Sequence, residues 1–194
     1  MQNYSEIIQN QLLESISVKQ KFLENHTDAI NSAAQKLINA VNRDHKILLC
    51  GNGGSAADAQ HLAAELVAKL KYRRRAIPAL ALTTDTSLLT AIANDDDFSD
   101  IFARQVEAFG KPGDILIGIS TSGNSPNVIK AVVKAKQQDL TTIILSGKNG
   151  GQLKELADLS IIVPSENTQR IQECHIAVGH ILCDIIEQTV YHSE

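Results

Sequence analysis

Apolar positions recur at helical spacing from residue 4 to residue 24, with Ile8, Leu12 and Ile16 leading to Phe22 and Leu23. Asn25-His26-Thr27 interrupts that stripe, and Thr27 is the expected N-cap of a second helix carrying Ile30, Ala33, Ala34, Leu37, Ile38 and Val41. The pattern then changes to short, almost wholly apolar runs: 46–50, 78–82, 115–119, 141–145 and 159–163. Each is too short for a helix and has no polar face, so each reads as a strand buried on both sides. Helical patterns separate them, at 55–70, 86–93, about 98–109, 126–138 and 152–157, and a long helix from about 169 to 191 closes the chain. Such alternation predicts an α/β fold: a doubly wound, five-stranded parallel sheet with helices on both faces and extra helices at each end. The terminal helices must bury their stripes on the sheet or on a partner subunit, and we expect some of each. No linker divides residues 1–194, so one domain is expected.

Composition narrows the class. The chain has 194 residues, of which 43% are hydrophobic, enough for a sizeable core. A net charge of −4 gives no global case for nucleic-acid binding. Cys50, Cys174 and Cys183 are odd in number and show no CxxC spacing, which suits a reducing cytoplasm. Met1-Gln2-Asn3-Tyr4-Ser5-Glu6 lacks the basic-then-apolar pattern of a secretory leader, and no apolar run approaches a membrane span.

Two turns carry the candidate chemistry. After the first strand comes Gly51-Asn52-Gly53-Gly54-Ser55, whose glycines permit a tight turn into a helix N-terminus, where an anion is favoured. The helix it opens carries His61 and Glu65 one turn apart, on one face. After the third strand, Ser120, Thr121, Ser122 and Ser125 surround Gly123, with Ser125 the expected N-cap and Pro126 at the first helical position. Ligands of open parallel sheets bind outside the carboxyl ends of the strands, where both turns fall. Hydroxyl and backbone donors without a P-loop lysine suit a sugar-phosphate monoester better than a nucleoside triphosphate.

Competing patterns are weaker. Gly51-x-Gly53-x-x-Ala56 meets a relaxed dinucleotide fingerprint, but Lys and Arg at 69–75 stand where an acidic residue belongs. That basic run reads first as a solvated helix C-terminus and second as an anion patch. On the last helix, Gln172 and His180 are able to border one cavity, although a histidine on a largely apolar helix is commonly a satisfied core residue. Asp184, one turn on, is a candidate to orient His180, while His175 reads as structural. Together His61, Glu65, Gln172 and His180 suit either a zinc ion or a general acid and base. Spacing alone leaves both open.

The motifs in combination resemble the sugar isomerase (SIS) family and, within it, the phosphoheptose isomerases. The resemblance rests on Gly51-Asn52-Gly53-Gly54-Ser55, His61 through Glu65, Asn94-Asp95, Gly118 through Ser125 and Arg170 through His180. It implies conversion of D-sedoheptulose 7-phosphate to D-glycero-D-manno-heptose 7-phosphate for lipopolysaccharide-type heptose biosynthesis. Glu65 and His180 would then be the acid–base pair. Asn52, Gly53, Gly54, Ser55, Glu65, Asn94, Asp95, Ser120, Thr121, Ser122, Ser125 and Gln172 would contact substrate, with the serine-rich turn holding the phosphate. His61, Glu65, Gln172 and His180 would ligate zinc, one ion per subunit of a cytoplasmic homotetramer that binds neither nucleic acid nor membrane. Gln169 stands where some relatives have aspartate. A rival of the same fold, a regulatory protein that associates with a replication initiator and lacks isomerase activity, has neither the acid at the place of Glu65 nor the histidine at that of His180.

Overall fold

The computed structural model describes residues 3–191, so Met1 and Gln2 of the opening segment lie outside it. Its centre is a five-stranded, wholly parallel sheet in the order β2-β1-β3-β4-β5. The strands are β1 (Ile47–Gly51), β2 (Ala79–Ala81), β3 (Ile115–Ser120), β4 (Thr141–Gly147) and β5 (Leu159–Val163). Every residue of β1 and β3 is buried, as continuous apolar runs require of strands covered on both sides.

Alternation along the strands sorts the helices. Ile47, Leu49, Ile117, Ile119, Ile143 and Leu145 face one layer, formed by α1 (Ser5–Val41), α2 (Gly54–Val67) and α7 (Thr168–Tyr191). Leu48, Cys50, Leu116 and Ile144 face the other, which contains α4 (Ala103–Phe109) and α5 (Pro126–Gln137). The helix bearing His61 and Glu65 is thereby placed beside the helix bearing His180.

The first two expected helices are one. The 37-residue α1 runs through Asn25-His26-Thr27 because these side chains satisfy themselves inside it. Asn25 Nδ2 donates to Lys21 O at 2.9 Å and Thr27 Oγ1 to Leu23 O at 3.0 Å, so Thr27 bonds backward instead of capping. His26 stacks on Phe22 with ring centroids 4.7 Å apart. The early apolar residues Ile7, Ile8, Leu12, Leu13 and Ile16 remain exposed.

Three smaller expectations also change. The segment expected as a helix over 98–109 is a 3-10 turn at Phe98–Asp100 followed by α4, and α3 (Thr86–Asp95) before it is capped by Asp85. Ser125 occupies the N-cap position of α5 with Pro126 after it, but its hydroxyl makes no capping bond. It lies 2.9 Å from Ser120 Oγ instead. The expected helix 55–70 stops at Val67, which leaves the basic run outside it.

Candidate functional site

β1 and β3 are neighbours, and their last paired residues are Gly51 and Ile119. From there the chain leaves toward α2 on one face and α5 on the other, so the connections diverge and open a crevice between them. Crevices at such switch points are where doubly wound sheets take ligands.

The two expected turns meet in this crevice. Asn52 Nδ2 donates to Asn127 Oδ1 at 2.9 Å, and Asn127 Nδ2 returns a bond to Asn52 Oδ1 at 2.8 Å. Asn127 is buried and also accepts from its neighbour's backbone at Val128 N, so it is locked in place. Sequence reasoning missed this residue; an asparagine just inside a helix, after Ser-Pro, was its faint signal. Ser120 and Ser55 are both nearly fully buried, whereas Thr121, Ser122 and Ser125 are half-buried. Gly123 has φ +66°, and a Cβ there would fall 1.9 Å from Gly150 O. Only glycine lets the serine-rich turn lean on the loop after β4, where Leu153 N donates to Gly123 O at 3.0 Å.

Beside the turns, side chains from α2 and α7 converge. His61 Nε2 is 3.1 Å from Glu65 Oε1 and 3.3 Å from His180 Nε2. The imidazoles meet edge to face with centroids 4.9 Å apart. The ligating atoms of all three residues lie within 4.8 Å of one another, a group able to hold a metal ion. A proton on His61 Nε2 serves the carboxylate or the second ring, not both with good geometry. A cation facing three lone pairs serves all of them. Gln172 lies over the start of α2, where a Cβ on Gly54 would be 2.4 Å from its Nε2; Gly54 is about two helical turns before His61. His180 is half-buried against His61 and is not a core histidine.

The helices reach this spacing by close approach. At Gly179 a Cβ would fall 2.5 Å from Leu62 Cδ2, so the two helices touch where α7 has no side chain. Asp58, one turn before His61, was also missed. Its Oδ2 is buried without a hydrogen-bond partner among the described residues, and burial raises its pKa against the lowering pull of His61 and His180.

Other expectations resolve elsewhere. Asp184 does not orient His180; its carboxylate accepts from Lys71 Nζ at 2.8 Å, which lowers its pKa. His175 is structural, as expected: buried, it donates from Nε2 to Ser146 O at 3.0 Å, and desolvation pulls its pKa down to about 4. Asn94 and Asp95 are exposed at the end of α3 and bond to each other at 2.8 Å. No hydrogen bond or ion pair among the described residues joins them to the crevice. Gln169 lies in the first turn of α7, its N–H capped by Asn167 Oδ1. All three cysteines are buried free thiols, and burial pushes Cys50 and Cys183 up to about 12. No described helix is long and apolar enough to cross a membrane.

Known proteins resemble this chain over nearly its whole length. A family model for the SIS domain matches residues 12–147. The phosphoheptose isomerase of Clostridium acetobutylicum is 53% identical over 186 residues, covering 95% of each chain. The solved phosphoheptose isomerase of Neisseria gonorrhoeae superposes with a TM-score of 0.92 at 44% identity, over 96% of this chain and 100% of that one. The Francisella tularensis structure of that name gives 0.93 at 38% identity, over 97% and 100%. The chain belongs to the SIS-domain family and, within it, to the phosphoheptose isomerases.

Proposed function

We propose that this protein is an aldose–ketose isomerase that converts D-sedoheptulose 7-phosphate to D-glycero-D-manno-heptose 7-phosphate for heptose-containing polymers such as lipopolysaccharide. The observation that carries the reading is the meeting of His61, Glu65 and His180 beside two hydroxyl-bearing turns. The turns are suited to a phosphate and sugar hydroxyls, and the helix-borne groups to moving protons. Asn52, Gly53, Gly54, Ser55, Ser120, Thr121, Ser122 and Ser125 take the substrate's phosphate and body, with Asn94 and Asp95 at its sugar end.

The Glu65 carboxylate removes a proton from the carbon beside the carbonyl of the open-chain ketose. The resulting enediolate accepts that proton back on the former carbonyl carbon. His180 carries a proton from one oxygen to the other. One C–H and one O–H bond break and one of each forms, so no external oxidant or reductant is needed. His61, Glu65, Gln172 and His180 would be the donor set for a zinc ion, one per subunit. The ligating atoms of His61, Glu65 and His180 lie within 4.8 Å of one another, and two imidazoles with a carboxylate are a donor set that suits zinc. When bound it supplies Lewis-acid polarisation of the reacting oxygens.

Purified protein mixed with sedoheptulose 7-phosphate, with and without zinc, should yield the aldose. No conversion under either condition, together with specific capture of a replication initiator, would replace this reading with the regulatory one.

We propose further that the protein is a cytoplasmic homotetramer. An apolar groove of about 530 Å³ between α1 and α7, lined by Phe22, Leu23, Ile30, Val178, Ile181 and Ile185, continues the exposed stripe at Ile7 to Ile16. Sedimentation should give four chains, and Leu12→Lys should reduce that number; a monomeric parent protein would overturn the assembly.

A further inference from the structure

The basic run 69–75 is not uniformly a solvated patch. Lys69, Lys71, Arg73 and Arg75 are exposed, but the Arg74 side chain is only 3% exposed and its partner Glu187 on α7 is 0% exposed. Arg74 Nε donates to Glu187 Oε1 at 3.1 Å. Its two terminal nitrogens turn toward α2: Nη2 donates to Glu65 O and Nη1 to Leu66 O, each at 2.8 Å. Nη1 also reaches Arg75 O at 3.1 Å. Glu187 in turn accepts from Leu70 N at 3.3 Å and Lys71 N at 2.7 Å, and the guanidinium stands 5.6 Å from the Tyr191 ring centroid.

These bonds answer a local need. α2 ends at Val67, so its last carbonyls have no partner within the helix and point toward the negative end of its dipole. A buried guanidinium complements the dipole, partners Glu65 O and shares Leu66 O with Ile77 N, which donates to it at 3.1 Å, and its planar fork reaches two helices at once. One of the gripped carbonyls belongs to Glu65, whose carboxylate is 3.1 Å from His61. Glu187 is seven residues beyond His180. Two turns of α7 therefore separate them, with an offset of only about 20° around the axis. The backbone of Glu65 is thus tied through one side chain to the face of α7 that presents His180.

We infer that Arg74, held by Glu187, is a positioning residue for isomerisation: it fixes Glu65 relative to His180 by clamping the end of α2 to α7. It touches no substrate and acts through Glu65, so the inference rests on the acid–base assignment proposed above. Misplacement of a reacting group by about 1 Å costs on the order of 100-fold in rate. Loosening the clamp should therefore lower kcat and leave the serine-rich turn, which follows β3, unaffected.

Removing Arg74 alone strands a buried carboxylate and risks unfolding, so the experiment uses Arg74→Met/Glu187→Leu and Arg74→Lys. The double variant replaces a buried ion pair by apolar groups of similar size, an exchange that proteins commonly tolerate. It restores packing but supplies no donor to Glu65 O or Leu66 O. The lysine keeps the charge, yet a single ammonium cannot span Glu187 and both carbonyls. Steady-state kinetics on sedoheptulose 7-phosphate should show kcat down about 10- to 100-fold in the double variant, a smaller loss with lysine, and KM within about threefold of the parent in both. Two results overturn the inference: a folded variant with kcat within twofold of the parent, or a loss of rate that matches the loss of folded protein. Glu65→Gln is the control. If it retains parental activity, the acid–base assignment fails; if it is inactive while the clamp variants are normal, only the inference fails.

Discussion

The two halves of the crevice are built in opposite ways. The turn-borne half is fixed by backbone: Gly123 N donates to Ser120 O, Gly147 N to Thr121 O and Leu153 N to Gly123 O, at 3.0 to 3.2 Å. The helix-borne half has no such scaffold. His61, Glu65, Gln172 and His180 are side chains whose spacing depends on how α2 lies against α7, set by the Gly179–Leu62 contact, the Arg74–Glu187 clamp and the His175 bond to Ser146 O. Backbone bonds along a sheet edge define a rigid cradle for groups that do not change during reaction. Side chains on packed helices place reactive atoms, at the cost of distributing precision over several distant contacts. The comparison predicts that damage to the turns appears in KM and damage to the helices in kcat.

The largest effect tests the helix side. Glu65→Gln keeps the shape and a hydrogen-bonding oxygen but removes the base, so kcat should fall about 1,000-fold or more. Binding of sedoheptulose 7-phosphate, followed by calorimetry on the variant, should persist. Turnover within tenfold of the parent would remove Glu65 from the mechanism and erase the contrast between the halves.

Legibility in the sequence divides along similar lines. The strands, their parallel arrangement and both turns follow from local pattern, because a five-residue apolar run bounded by glycines and hydroxyls has few other uses. His61 and Glu65 were also readable, being one turn apart on one helix. Contacts between distant segments were not. Asp184 sits one turn from His180 and looks like its natural partner, but Lys71 claims it across 113 residues. Arg74 looks like one cation in a solvated run until α2 is seen to stop short of it. The supposed break at Asn25–Thr27 failed for a local reason: polar side chains that favour turns also bond to the carbonyl four residues back when tertiary packing prolongs the helix. Family resemblance supplied what pattern could not, the joining of His180 on α7 to His61 and Glu65 on α2.

A smaller effect concerns the anchoring of α7. His175 has a folded pKa of about 4 against 6.5 for the free side chain, because burial excludes its charged form. Between those values the unfolded chain binds the extra proton, so stability is fully present above about pH 6.5 and is lost as pH falls toward 4. From pH 6.5 to 4.5 the parent should lose about 2 kcal/mol more than His175→Gln, which keeps a donor for Ser146 O without titrating. Denaturant unfolding at fixed protomer concentration measures the difference. Parallel pH curves for the two proteins would mean that His175 is not held neutral, and α7 would have a weaker hold on the sheet than its geometry indicates.

The smallest effect tests the turn side. The half-buried Ser122 hydroxyl accepts from Asn124 N at 3.2 Å and retains its own proton to donate. Ser122→Ala removes that donor while the backbone bonds of the turn and the φ of Gly123 stay as they are. A hydrogen bond to a charged group contributes about 1.5 kcal/mol or more, so KM should rise roughly tenfold. The phosphate has the same charge in the ground and transition states, and kcat should therefore remain within about twofold of the parent. If kcat falls as far as kcat/KM, the serine-rich turn makes a contact realised only in the transition state. The division between a cradle that binds and helices that react would then have to give way to a site in which both halves move with the chemistry.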